Sequence, residues 1–261
     1  MRWLAGRPLY ETQLIAEDLH DVNVLVGAAV DNLNDRYLSA LRVRIGGVPG
    51  GGGNTHRAFA DTAVVKQRIS ICFADSDKEC PLANVGPTAE KCQEVAGPGL
   101  YDLQLTSGRS LENALPWSLL DQIRPDRIPS PRDALARVET ATPGATRFVN
   151  LKRGVFAHDI HRLGYTACAG YWAATRRDMG RPSTPACCAT GCKAAAVGSC
   201  SEKFIDGYGN STLADAERWL ESSSSNRARH SGYISSADSA DWRALGKWVA
   251  EYGLGMPPRR L

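Results

Sequence analysis

LYETQLIAEDLHDVNVLVGAAVDNLNDRYLSALRVRI, residues 9–45, carries one sustained periodicity. Its side chains Leu14, Ile15, Leu19, Val22, Val26, Ala29, Val30 and Leu33 recur at three- and four-residue spacing, which predicts a helix. Tyr37, Leu41, Val43 and Ile45 either continue it or switch into a short strand. The run GGVPGGGG that follows, residues 46–53, breaks any regular element and reads as a flexible linker. Beyond it a second helix is expected over 55–68, with Ile69-Ser70-Ile71-Cys72-Phe73 alternating as a strand.

The next section, 74–143, is punctuated by Pro81, Pro87, Pro98, Pro116, Pro125, Pro129, Pro131 and Pro143. Proline disfavours helix at the residue before it, so only 88–95, 101–105 and 132–138 are expected to be regular. A boundary is expected within 129–143. Near the C-terminus, Ser236 is placed to cap a helix through Tyr252, with Trp242, Leu245, Val249 and Tyr252 on one packing face. Gly253 stops it, followed by Pro257 and Pro258. A shorter helix over 212–220 precedes a polar joint at 222–225. The expected fold is α+β or mainly α, divided into a helical segment 1–45, a linker 46–54, a proline-broken segment 55–143, a Cys-rich basic region 144–205 and a helical segment 206–261.

Composition narrows the classes. The 261 residues include 31 Lys+Arg against 28 Asp+Glu and 43% hydrophobic residues. Collagen, coiled coil and wholesale disorder are excluded by that composition. A formal charge of +3 is too small to imply a polyanionic partner by itself. Residues 1–19 hold Arg2, Arg7, Glu11, Glu17 and Asp18, and so lack the apolar run of a secretory signal. The longest apolar stretch, 22–30, is about half the length of a membrane span. The chain is therefore expected to be soluble and intracellular, cytoplasmic or nuclear, with no membrane partner.

The charge and the cysteines are unevenly placed. From Arg147 to Arg181 the only acids are Asp159 and Asp178. The candidate nucleic-acid contacts there are Arg147, Lys152, Arg153, Arg162, Tyr165, Tyr171, Trp172, Arg176, Arg177 and Arg181. Guanidinium and ammonium groups contact phosphates, and aromatic faces stack on unpaired bases, so the implied partner is single-stranded nucleic acid. A solvated basic face around a small aromatic core is the plainer reading. Five of the eight cysteines, Cys168, Cys187, Cys188, Cys192 and Cys200, follow closely. Zinc takes four thiolate or imidazole ligands in a tetrahedron, and Cys188 or Cys187 with Cys192 offers half of such a site. Cys168, Cys200, His158 or His161 would have to complete it. The candidate metal ligands are Cys168, Cys187, Cys188 and Cys192; free thiols and a disulfide remain open alternatives.

The stretches Arg147-Phe148-Val149-Asn150-Leu151-Lys152, Asp159-Ile160-His161-Arg162-Leu163-Gly164-Tyr165-Thr166 and Cys168-Ala169-Gly170-Tyr171-Trp172-Ala173 together resemble a segment of copia-type retrotransposon polyproteins. That resemblance covers about 147–188 and implies a Cys knuckle, hence zinc and nucleic acid. Tyr171 stands where the second knuckle Cys belongs, and no His lies between Cys168 and Cys187. Only Cys168 and Cys187 carry over, so the resemblance implies a degenerate copy in which Cys188 or Cys192 substitutes.

Other chemistry is poorly represented. Asn54 takes the place of the Lys that a phosphate-cradling loop requires. Cys168 with His158, His161 and Asp159 has the residue types of a thiol nucleophile but no recognisable spacing. The leading expectation is a non-enzymatic, nucleic-acid-associated protein with a basic, zinc-stabilised segment. The alternatives are a structural or interaction protein, or an open reading frame without a selected activity, and thirdly a cysteine-dependent enzyme.

Overall fold

A computed structural model describes residues 11–36, 38, 40–66, 68–97, 101–124, 130–156, 167–181, 203–222 and 240–255. The chain is mixed α/β with substantial helix and a small parallel sheet. It forms two compact units, the first from Met1–Ala74, Pro87–Leu105 and Arg243–Leu261, the second from Asp75–Gly86 and Thr106–Trp242. These discontinuous units cut across the five consecutive segments expected from the sequence. Among the described residues no helix is long and apolar enough to cross a membrane.

In the first unit, strands β1 (Thr12–Ala16), β3 (Ile45–Pro49), β4 (Ser70–Ala74) and β5 (Tyr101–Leu105) form a parallel sheet in the order β3-β1-β4-β5. Helix α1 (Leu19–Asp35) connects β1 to β3, α2 (Thr55–Ala60) with the π-helical turn Asp61–Val65 connects β3 to β4, and α3 (Pro87–Val95) lies between β4 and β5 in sequence. Ile15, Phe59, Ala63, Cys72, Ala74 and Cys92 form one buried cluster, packed against Tyr101 and Leu103. The short strand β2 (Arg42–Val43) pairs antiparallel with β8 (Leu254–Gly255), which follows the terminal helix α8 (Ala240–Gly253).

Two expectations change here. The helix expected from residue 9 starts at Leu19, because Leu14 and Ile15 belong to a strand paired on both edges, by β3 and β4. A central parallel strand is covered on both faces, so the consecutive Leu14, Ile15 and Ala16 are all buried and do not alternate. Asp18 then sets the helix start: its carboxylate accepts from Asp21 N at 3.0 Å, and Asp21 accepts from Asp18 N at 3.0 Å. The glycine run is no linker. Gly46 and Gly47 pair with Gln13 and Leu14 in the sheet, where a Cβ would lie 2.5 Å from the Gln13 side chain or 2.9 Å from Val22. Glycine there leaves room for the Gln13 and Val22 side chains.

The expected helix after 55 and strand to Phe73 are present as α2, its π-helical turn and β4. The expected pieces at 88–95, 101–105 and 132–138 correspond to α3, β5 and α5 (Pro131–Ala141). Trp242 and Val249 of α8 are fully buried and Leu245 nearly so, while Tyr252 stays partly exposed. Ser236, Tyr37, Pro257 and Pro258 lie outside the described residues.

The second unit contains the 3-10 turns Leu111–Ala114 and Ala145–Phe148, helices α4 (Trp117–Ile123), α5, α6 (Ala167–Asp178) and α7 (Thr212–Ser222), and an antiparallel ribbon of β6 (Gly154–Phe156) and β7 (Lys203–Asp206). Its irregular loops are tied by side-chain bonds. Asn113 Nδ2 donates to Val149 O at 2.9 Å and to Thr146 O at 3.0 Å, the latter already accepting from Val149 N.

Candidate nucleic-acid interface

The ribbon organises the basic residues of the second unit. Antiparallel pairing places Phe156 opposite Lys203. The Lys203 Nζ lies 5.6 Å from the Phe156 ring centre, and the Arg153 guanidinium lies 5.7 Å from the same centre. On the next residue of β7, the Phe204 ring has Arg176 at 5.1 Å and Arg181 at 5.8 Å. The register shifts between Val155 and Phe156, so that Phe204 is passed over in the pairing, as at a β-bulge. Each cation–ring contact contributes about 0.5–1 kcal/mol where exposed. Lys203 also pairs with Asp206 at 3.1 Å.

The candidate residues divide by exposure. Arg153, Arg177 and Arg181 are exposed. Lys152 is exposed but holds Glu112 at 3.2 Å, a carboxylate with no solvent exposure. Arg147 pairs with Asp241, Nε to Oδ2 at 3.3 Å and Nη2 to Oδ1 at 3.4 Å. Arg176 is buried, 2% exposed, so it packs on Phe204 and is not offered to a phosphate. Trp172, 3% exposed, donates its indole N–H to Glu79 O at 2.7 Å. Tyr171 packs edge-on against Phe148 and Trp172. Burial, and then the negative charge of Glu139, hold its phenol above the ordinary tyrosine range. The aromatics near Cys168 thus serve each other as a core, which is the favourable geometry for adjacent quadrupoles. Arg162 and Tyr165 lie outside the described residues.

Of the candidate zinc ligands, Cys168 lies among the described residues. Cys168 is joined to Cys80 by a disulfide with an S–S distance of 2.08 Å, so in this state it has no thiolate to give a metal. Cys187, Cys188, Cys192, Cys200, His158 and His161 lie outside the described residues. Among the described residues no group of three His, Cys, Asp or Glu side chains could hold a metal ion. In the first unit Cys72 and Cys92 are buried thiols with sulfurs 4.0 Å apart. The hydrogen bond to Cys92, and then burial, push the Cys72 thiol far up.

Lys203 and Phe204 were not among the candidates. Their pairing with 154–156 is a long-range event, and the only sequence signal was the short apolar pair Phe204-Ile205 between Lys203 and Asp206. The glycine loop after β3 does not cradle phosphate. Its amides are already spent on the β1–α1 turn: Gly50 N on Ala16 O at 2.7 Å, Gly51 N and Gly52 N on Glu17 O at 2.9 and 3.2 Å. Gly51 and Gly52 have φ of 72° and 61°, which glycine adopts without a Cβ penalty.

No protein-family model matches the chain, and no curated protein or solved structure matches it. The resemblance to copia-type polyproteins therefore rests on residues 147–188 alone.

Proposed function

We propose that the protein binds single-stranded nucleic acid through the basic ribbon of its second unit. The observation that carries this reading is the gathering of the exposed Arg153, Lys203 and Arg181 around the phenyl rings of Phe156 and Phe204, with Asp206 the acid paired to Lys203. Exposed Arg153, Arg177, Arg181 and Lys203 supply phosphate contacts. The buried Trp172 supplies none of the stacking, so binding tracks the backbone with little base preference. A relation to copia-type elements belongs to the same proposal. Zinc enters on Cys187, Cys188 and Cys192, with Cys168 joining only when its link to Cys80 is reduced. Metal content before and after reduction tests that part.

The experiment is a salt-dependent titration with single-stranded DNA and RNA. Three to four phosphate contacts give a log–log salt slope of roughly −2 to −3, and Lys203→Ala or Arg181→Ala reduces it by about 0.7 each. Absence of measurable binding at low salt refutes the reading.

The strand order favours a second reading. β1 leads to β3 on one side, and β4 is followed by β5 on the other, so the sheet reverses direction between β1 and β4. Open parallel sheets bind ligands beyond the carboxyl ends of the strands at such a point. Here the half-buried Glu17 follows directly on the end of β1, a group suited to a ligand that carries a cation rather than a bare phosphate. Calorimetry with magnesium and a nucleotide, repeated on Glu17→Gln, tests it, and identical heats from both proteins would dismiss it.

A further inference from the structure

The second unit contains a cavity of about 330 Å³ lined by Asn113, Trp117, Glu139, Thr146, Arg147 and Asp241. That volume lies at the small end of ligand sites. The walls are held in place before any ligand arrives. Asn113 accepts from Ser110 N at 3.1 Å while its amide nitrogen holds two carbonyls. Glu139 Oε1 accepts from Gly144 N at 2.7 Å, and Oε2 from Thr146 Oγ1 at 2.7 Å.

The charges decide what fits. Arg147 and Asp241 offset each other side-on. Glu139 accepts two neutral hydrogen bonds and, among the described residues, has no cationic partner. The lining is therefore negative by one charge, which disfavours a phosphate and favours a cation. Trp117 is half-buried on the cavity wall, and an indole face attracts a cation more strongly than any other aromatic side chain. The Glu139 charge is also felt at Tyr171, whose phenol it helps to push up.

We propose that this cavity binds a small organic cation, an alkylammonium or guanidinium group, with Trp117 as its aromatic wall and Glu139 as its counter-ion. The lining contains no residue of the basic ribbon, and the proposal does not depend on nucleic-acid binding. Such a head group comes either from a free amine or from a Lys or Arg side chain of a protein partner.

Calorimetric titration of the full chain tests this. One arm uses tetramethylammonium, agmatine and spermidine; the other uses a blocked arginine amide and a short lysine-containing peptide. Binding in the first arm alone assigns the site to free amines, and binding in both extends it to protein side chains. Glu139→Gln is expected to weaken binding by between about ten-fold and about a thousand-fold, the upper figure being that of a unit charge about 4 Å away at an effective dielectric of about 20. Trp117→Phe retains a ring face and most of the affinity, whereas Trp117→Leu loses about two- to thirty-fold. Thermal melting confirms that each variant is folded; should Trp117→Leu fail, Glu139→Gln and Trp117→Phe decide the matter. No binding of any cation, or unchanged affinity in folded Glu139→Gln, overturns the proposal.

Discussion

Breaking the Cys80–Cys168 link should cost the second unit several kcal/mol. The bond spans a sequence separation of 88. In the chain-entropy treatment, closing a loop of that length removes about 15 cal/mol/K from the unfolded ensemble, or about 4.6 kcal/mol at 25 °C. The folded state adds reasons for the bond to form. Cys80 has no exposure and Cys168 only 7%, and the neighbouring Glu79 carbonyl accepts the Trp172 indole N–H from the next turn of α6. Loop Asp75–Gly86 is thus tied to α6 by a covalent and a hydrogen-bonded link. Urea unfolding of oxidised protein, of protein kept in a dithiol reductant, and of the double variant Cys80→Ala/Cys168→Ala measures the effect. The oxidised protein should have the highest midpoint, with the other two close together. Thiol titration in denaturant without reductant should then find at most six of the eight cysteines reactive. Eight reactive thiols in protein purified under oxidising conditions, or coincident midpoints for oxidised and reduced protein, would refute the reasoning. The same experiment bears on zinc, because only reduction returns Cys168 to the pool of ligands.

Three further perturbations probe packing and charge. Gly246→Ala should destabilise the first unit by about 1–3 kcal/mol, since its Cβ would meet the Ala28 carbonyl oxygen of α1 at 2.3 Å; an unchanged urea midpoint would show that the helices can separate freely. Lys152→Met should cost roughly 2–3 kcal/mol by leaving the fully buried Glu112 without its cation, and Lys152→Met/Glu112→Gln should recover much of that loss. Tyr171, Tyr208 and Tyr252 all have phenols raised chiefly by burial. An unfolded tyrosine loses its proton near pH ~10 while the folded one keeps it, so stability is unaffected below that pH and falls as pH climbs above it. Phenolate absorbance should rise later in folded than in denatured protein, and Tyr208→Phe should flatten the alkaline loss.

Much of the local structure was legible. Val22, Val26, Ala29 and Leu33 carry a helical spacing that α1 realises, although the cap at Asp18 was not read from the sequence. Short pieces at β4, α3, β5, α5, α7 and α8 were also visible, because each shows a period or a cap within a dozen residues. The strand nature of β1 was not visible, since a short apolar run reads equally well as helix until something covers both its faces. Gly46 and Gly47 looked like a linker because the reason for them, the Gln13 and Val22 side chains, is supplied by other elements.

The candidate interface divides in the same way. The excess of positive charge from Arg147 to Arg181 is a property of the one-dimensional chain, and no folding changes that sum. Which of those charges meet solvent depended on tertiary packing: Arg176 went under Phe204, Lys152 to Glu112, and Trp172 into the core beside Cys168. The pairing of 154–156 with 203–206, the bond between Cys80 and Cys168, and the cavity around Glu139 bring together residues from separate stretches of sequence. Composition and periodicity report local preference and total charge; burial and charge compensation arise only when distant segments share one dry interior.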